Sequence, residues 1–258
     1  MAKSLPKIIV LAGYGLNCEE ETAAAFTLAG GLAEIVHIND LVENPKKLMS
    51  YQILAIPGGF SYGDDLGGGK AYANKLNNHL KKYLKEFTSK DKLVIGICNG
   101  FQILTQAGLL PGALVFNDNN RYTDRWVDLR IQSSSPWLTG IKTLSVPIAH
   151  GEGKFVADNN TLSTIKKNRQ IAGVYYKGDV CAYQNLAANP NGSTADLAIM
   201  TSENGKILGT MPHPERAMFF TQSPMWPLMK EKLIRSGQKL PKYGDGLKIF
   251  VNGVKYFI

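Results

Sequence analysis

Along the first hundred residues, short apolar runs alternate with longer stretches in which apolar positions recur at helical spacing. Residues 7–13, KIIVLAG, form the first such run and end in a glycine turn, so they predict a buried strand. Asn17, with Glu20 three positions on, has the spacing of a capping box and predicts a helix that stops at Gly30-Gly31. Residues 34–39 and 51–56 predict a second and a third strand, the third closing on Pro57-Gly58-Gly59. Residues 70–87 carry the pattern of one long amphipathic helix, 92–97 that of a fourth strand, and 99–107 that of another helix. Strands separated by helices imply right-handed crossovers and a parallel sheet, in which ligands gather at the carboxyl ends of the strands. Gly59 and Cys98 both fall at such ends.

The pattern then changes. Residues 127–131, 143–149, 171–176, 197–201 and 206–211 read as strands with few helices between them. Asn204-Gly205 predicts a two-residue hairpin turn, and Asn252-Gly253 a similar hairpin near the C-terminus. The expected fold class is therefore α/β, a mostly parallel sheet flanked by helices with an antiparallel strand extension. It is expected to form one domain over residues 1–258, with 224–258 its least defined part. With 258 residues, 44% of them hydrophobic, the chain can bury one large core. No apolar run reaches the ~18–20 residues that span a bilayer. Residues 8–12 are too short, and run too directly into a turn, for a secretory h-region. A cytoplasmic location is expected.

A net charge of +8 raises the question of nucleic acid. The basic residues are dispersed, however. Lys81, Lys82 and Lys85 share a helix with the apolar stripe Leu80, Leu84 and Phe87, as a solvated face does. Neither nucleic acid nor a membrane is expected as a partner, whereas a protein with an acidic face would suit the excess charge. The three cysteines are widely spaced and form no CxxC, so neither a metal site nor a disulfide framework is expected.

Candidate chemistry centres on Gly96-Ile97-Cys98-Asn99-Gly100, which has the form G-x-nucleophile-x-G between an apolar strand and a helix. This is the context of a nucleophile elbow, where a tight turn projects the reactive side chain from the sheet edge. The free N–H groups at a helix start favour a thiolate at Cys98, and the Asn99 N–H can face an oxyanion. In Met211-Pro212-His213-Pro214-Glu215, the prolines argue against a regular helix and for an extended segment. Alternate side chains of an extended segment share a side, so Glu215 can orient the His213 imidazole as in a nucleophilic triad. Gly58-Gly59, at the neighbouring strand end, can present a second N–H to an oxyanion. His150, in the Gly-spaced turn Ala149-His150-Gly151-Glu152-Gly153, is a candidate substrate contact. Cys18 stands before three glutamates that disfavour a thiolate, Cys181 reads as structural, His37 as core or edge, and His79 as exposed. Gly67-Gly68-Gly69-Lys70 lacks the Ser or Thr of a phosphate loop.

With these segments in view, the chain resembles the class I (triad-type) glutamine amidotransferases, and among them the glutaminase subunits of phosphoribosylformylglycinamidine synthase. GLNCE at 15–19, PGGFSYGD at 57–64, GICNGFQ at 96–102, AHGEG at 149–153, NPNGS at 189–193 and MPHPER at 211–216 carry the resemblance. It implies a flavodoxin-like fold, with Cys98 as nucleophile, His213 as general acid/base and Glu215 as its orienter. The backbone N–H groups of Gly59 and Asn99 would form the oxyanion hole, while Phe60, Gln102, His150, Gly151 and Glu152 would contact glutamine. It further implies hydrolysis of L-glutamine through a thioester and delivery of ammonia to a synthetase subunit, with room for a third small subunit in the complex. The chain itself would need no cofactor, ATP and Mg belonging to the synthetase.

Overall fold

In β1 (Lys7–Ala12) every side chain after Lys7 is buried, as befits an apolar run covered on both faces. The structure is a computed structural model that describes residues 4–258, so the first three residues of the expected domain lie outside it. β1 pairs in parallel with β2 (Leu32–His37) and with β3 (Ile53–Ile56), and β3 pairs with β4 (Leu93–Ile97). The next parallel strand comes from far along the chain. β11 (Ile207–Thr210) lies beside β4 with Thr210 opposite Ile97. From there the sheet continues antiparallel through β10 (Leu197–Thr201), β9 (Ile171–Tyr176), β6 (Thr123–Ile131) and β7 (Thr143–His150). The complete order is β2-β1-β3-β4-β11-β10-β9-β6-β7. A flavodoxin-like parallel block thus carries an antiparallel extension. β5 (Ala113–Val115) and β8 (Lys154–Val156) form a separate short ladder.

The helices α1 (Glu19–Leu28), α2 (Ile38–Glu43), α3 (Lys70–His79), α4 (Lys81–Ser89) and α5 (Asn99–Gln106) accompany the parallel block. Several expectations need correction here. The single helix expected over 70–87 is two, because Leu80 leaves helical geometry at φ −119° and each half buries its own stripe, Tyr72, Ala73 and Leu76, then Leu84 and Phe87. Asn17 is not the cap of α1. Cys18 holds that position without a side-chain cap bond, and Glu19, Glu20 and Glu21 complement the helix dipole instead. The second strand ends at His37, whose ring accepts the Asn39 N–H and starts α2.

The second half holds more helix than its pattern suggests: α6 (Asn159–Lys167), α7 (Asp179–Gln184), α8 (Trp226–Arg235) and α9 (Leu247–Lys255). Asn252-Gly253 is no hairpin; it lies within α9. The helical face Leu247, Ile249, Phe250 and Val254 is buried, and Gly253 meets Trp137 so closely that a Cβ would stand 2.4 Å from the ring. Burial of that face outweighs the local turn preference. The hairpin at Asn204-Gly205 does form, but its turn spans Ser202 to Gly205, closed by the Gly205 N–H to Ser202 O at 2.9 Å, with Gly205 at φ +71°.

Candidate active site

The carboxyl ends of β3, β4 and β11 lie side by side, and each leads into one of the singled-out motifs. After β4 the chain turns sharply at Cys98, which has φ 50° and ψ −106°, a conformation L-residues avoid unless the surroundings impose it. They do so here through close backbone approach. A Cβ on Gly100 would lie 1.9 Å from Ile56 O, so the helix start packs directly on β3 and no other residue fits. The Cys98 N–H donates to Thr210 O at 2.7 Å, tying the elbow to the end of β11. The Cys98 thiol is nearly buried and points toward Ala149 O, 3.7 Å away. The Asn99 N–H stands at the very start of α5, where the helix itself offers it no acceptor.

Beyond β11, His213 and Glu215 are both buried, and His213 Nδ1 lies 2.6 Å from Glu215 Oε1. Their route to contact differs from the extended segment expected. Met211, Pro212 and His213 are non-helical, but Pro214–Arg216 forms a single 3-10 turn, with proline at its tolerated first position. The His213 N–H bonds Pro147 O at 2.8 Å, fixing the segment against β7. Burial alone would depress the His213 pKa, yet the Glu215 carboxylate, with Cys98 and Cys18, holds it well above the ordinary imidazole value. With Nδ1 committed to Glu215, Nε2 is left buried and unpartnered among the described residues, the one ring nitrogen free to exchange a proton.

Gly59, at φ 151°, sits in an antiparallel bridge with Leu16. The bonds of that bridge run from Asn17 N–H to Gly58 O at 3.1 Å and from Phe60 N–H to Gly15 O at 2.9 Å. In such a pair the Gly59 N–H points away from residues 15–17, free for another acceptor.

Gln102 and Glu152 are engaged with the protein itself. Asn99 Nδ2 donates to Gln102 Oε1 at 2.7 Å, Gln102 Nε2 donates to Glu152 O at 2.7 Å, and Glu152 Oε2 accepts the Gly68 N–H at 3.0 Å. Asn99 Nδ2 also reaches Asp64 Oδ1 at 3.1 Å. This network latches the 61–69 loop to the elbow helix, and the loop carries strain, since Tyr62 and Asp64 both have φ 54°. Burial, with the nearby Glu152 charge, raises the Asp64 pKa. Phe60 is half exposed and packs against Tyr122, while Gly151 O accepts the Asn117 N–H at 2.9 Å.

His150 is buried, with Nδ1 3.1 Å from Asn117 Oδ1 and Nε2 unpartnered among the described residues. Burial, then the nearby His213, pushes its pKa down from 6.5 to about 3, so it is neutral at working pH. The unfolded chain takes up this proton as pH falls below 6.5, whereas the folded chain holds off until about 3. Stability should therefore fall across that window and level off below it, by on the order of 5 kcal/mol in full. Urea midpoints measured from pH 7 to 3 should show a shallower dependence for His150→Gln than for the natural chain.

Two further residues converge here that sequence reasoning did not select. Cys18 Sγ, a His213 ring nitrogen and a Glu215 oxygen all lie within 4.8 Å of one another, and Arg216 Nη2 donates to Cys18 Sγ at 3.0 Å. Arg216 closes the MPHPER segment that carries the family resemblance, which gave it no role of its own. A surface cleft of about 510 Å³ lies elsewhere, lined by Lys7, Leu32 and Tyr51 at the amino ends of β1 to β3, the end opposite to where such sheets bind ligands. Cys181 is buried, its N–H on Asp128 Oδ2 at 2.9 Å, and His79 is exposed. Among the described residues no helix is long and apolar enough to cross a membrane.

Residues 5–257 match the model of the CobB/CobQ-like glutamine amidotransferase domain. The phosphoribosylformylglycinamidine synthase subunit PurQ of Methanococcus maripaludis (strain C7) is 45% identical, over 100% of this chain and 99% of that protein. The protein of the same name from Dehalococcoides mccartyi is 39% identical over 97% of each. Among solved structures, a chain of PurLQS from Thermotoga maritima superposes with a TM-score of 0.72 at 30% identity, covering 98% of this chain and 99% of that one.

Proposed function

Because the chain belongs to the glutamine amidotransferase family, in its PurQ-like branch, we propose that it is the glutaminase subunit of a phosphoribosylformylglycinamidine synthase in purine biosynthesis. The observation that supports this reading is an elbow cysteine, Cys98, after β4 and a buried histidine–carboxylate pair, His213 and Glu215, after the adjacent strand β11. A synthetase partner is supported by what the relatives are called and by the PurLQS match; ATP and Mg on that partner belong to the proposal alone.

In this mechanism the Cys98 thiolate attacks the γ-carboxamide carbon of glutamine, and the C=O electrons move onto oxygen. The N–H groups of Gly59 and Asn99 stabilise that oxyanion. Imidazolium at His213, favoured by Glu215, gives its Nε2 proton to the departing nitrogen, releasing ammonia and leaving a thioester. Neutral His213 then takes a proton from water, which attacks the thioester; collapse yields glutamate and returns the thiolate. Ammonia passes to the synthetase for use on formylglycinamide ribonucleotide. The test is glutamine turnover together with labelling by a glutamine-analogue diazoketone. Glutamate production with the label on Cys98 supports the reading, and an unlabelled, inactive chain in a complete complex sinks it.

The latched 61–69 loop bears on regulation. Gly59 lies just before it, and the loop's strained residues and carboxylate bonds give a docking partner something to rearrange. The chain alone is expected to hydrolyse glutamine roughly 10²–10³-fold more slowly than in complex, the usual cost of an oxyanion donor out of place. Steady-state glutaminase rates with and without synthetase and its nucleotide substrates measure this. Equal rates would mean the site is complete before docking.

A further inference from the structure

Cys18 is a buried sulfur inside the site that the proposed chemistry does not use. Its backbone is fixed on both sides, since its N–H donates to Gly58 O at 3.2 Å and its carbonyl accepts the Thr22 N–H at 3.1 Å. Its Sγ is fixed as well, accepting from Arg216 Nη2 at 3.0 Å and lying 3.4 Å from Asn17 Oδ1. Gly58 brings the sulfur and the imidazole together. A Cβ there would stand 2.8 Å from His213 Cε1 and 3.2 Å from Cys18 Sγ, so a larger residue would wedge between the sulfur and the ring edge.

Two other roles for this sulfur fit the geometry poorly. It lies within 4.8 Å of His213 and Glu215 ligand atoms, as a metal site would require. However, His213 Nδ1 and Glu215 Oε1 are 2.6 Å apart. That is a hydrogen bond, whereas two ligands of one tetrahedral zinc stand about 3.3 Å apart, given bonds of about 2.0 Å. Nor does Cys18 stand on an elbow, having φ −109° and no glycine-built turn.

The arrangement around Arg216 is more telling. Its Nε is 3.9 Å from Glu215 Oε1, beyond hydrogen-bond distance, while its Nη2 is held by the sulfur. The other carboxylate oxygen, Glu215 Oε2, is buried with no partner among the described residues. A guanidinium freed from the sulfur would have a charge-assisted, fork-shaped pairing with that carboxylate within reach. Such a pairing would compete with His213 for Glu215.

We propose that Cys18 is a positioning residue for the catalytic imidazole: its sulfur anchors Arg216 away from Glu215 and braces His213 against that carboxylate. This rests on the triad reading of Cys98, His213 and Glu215. The groups facing the imidazole are Glu215 and Arg216 from its own segment, Cys98 from the elbow, Cys18 from the start of α1, and His150 and Tyr122 from one shared end of the β6–β7 pair. Of these, Glu215, Cys98 and Cys18 favour the imidazolium. Removing the sulfur takes away one such contribution and brings a cation toward Glu215, so both effects make the imidazolium lose its proton at lower pH.

The test is the pH dependence of kcat/KM for glutamine hydrolysis in the complete complex, for the natural chain, Cys18→Ala and Cys18→Ser. Cys18→Ala should lose about 10- to 100-fold, as when a group orienting a reactive imidazole is removed, with its alkaline limb moved to lower pH. Cys18→Ser, whose hydroxyl can still accept from Arg216, should recover part of the rate and lie between the two. Should Cys18→Ala not fold, the serine variant alone must show the limb displaced in that direction. Diazoketone labelling keeps the two ideas apart. Label on Cys98 with superimposable profiles, or a loss equal at every pH that serine does not relieve, overturns the positioning role. Label on Cys18 in the natural chain overturns the triad reading itself.

Discussion

Cys98→Ala should abolish glutamine-dependent synthesis by the complex, a loss of at least ~10⁴-fold, and leave ammonia-dependent synthesis unchanged. The asymmetry follows from where the sulfur sits. It is the only part of the side chain removed, and alanine faces the same backbone demand, so the φ 50° turn, the Gly100 contact with β3 and the bond to Thr210 O need not change. The oxyanion donors and the imidazole remain, but no nucleophile is left to form a thioester. Free ammonia bypasses the missing step and reaches the synthetase as it would in the natural complex. Paired assays with glutamine and with ammonium salt, on complex verified as intact, make the measurement. Loss of both activities would place this thiol in the synthetase reaction, and retention of both would remove Cys98 from the chemistry.

What could be read from the sequence follows from how each feature is encoded. β1, β3 and β4 are unbroken apolar runs, and burial on both faces makes such runs legible one residue at a time. The elbow was legible because its sterics demand glycine at Gly96 and Gly100, where a Cβ would meet backbone oxygen at 2.5 and 1.9 Å. Helices α6 and α8 were not, because they bury so little: α6 buries only Ile165, and no residue of α8 is buried. At Asn252-Gly253 a correct local preference lost to a long-range contact with Trp137. Cys18 shows the same limit in the site. Its three acidic neighbours are visible in the chain, but the folding of residues 15–18 back onto Gly58 and Gly59, which brings it to His213, is a tertiary fact. Gln102 and Glu152 were picked out for substrate, and their side chains are bonded into the loop latch, a use that no residue type announces.

His213→Ala should reduce glutamine-dependent turnover far more than Glu215→Ala. In the proposed mechanism the imidazole delivers a proton to departing ammonia and then takes one from the attacking water, and each such transfer is worth typically ~10²–10⁴-fold. Its Nε2 is the ring nitrogen left for both steps, because Nδ1 is 2.6 Å from the carboxylate. Glu215 touches no reacting atom in this scheme. Removing it leaves an imidazole still beside Cys98, held by the His213 N–H on Pro147 O, though free to adopt the wrong tautomer. Glu215 also favours the charged imidazole, so the Glu215→Ala profile should lose its alkaline side at lower pH than the natural chain. His213→Ala should show no such limb, since the group that titrates is gone. Single-turnover thioester formation, followed by its hydrolysis, separates the two half-reactions for both variants. Comparable residual rates, or an alkaline limb that survives in His213→Ala, would mean that another base carries the protons, and His150, neutral and buried at the end of β7, would be the next residue to replace.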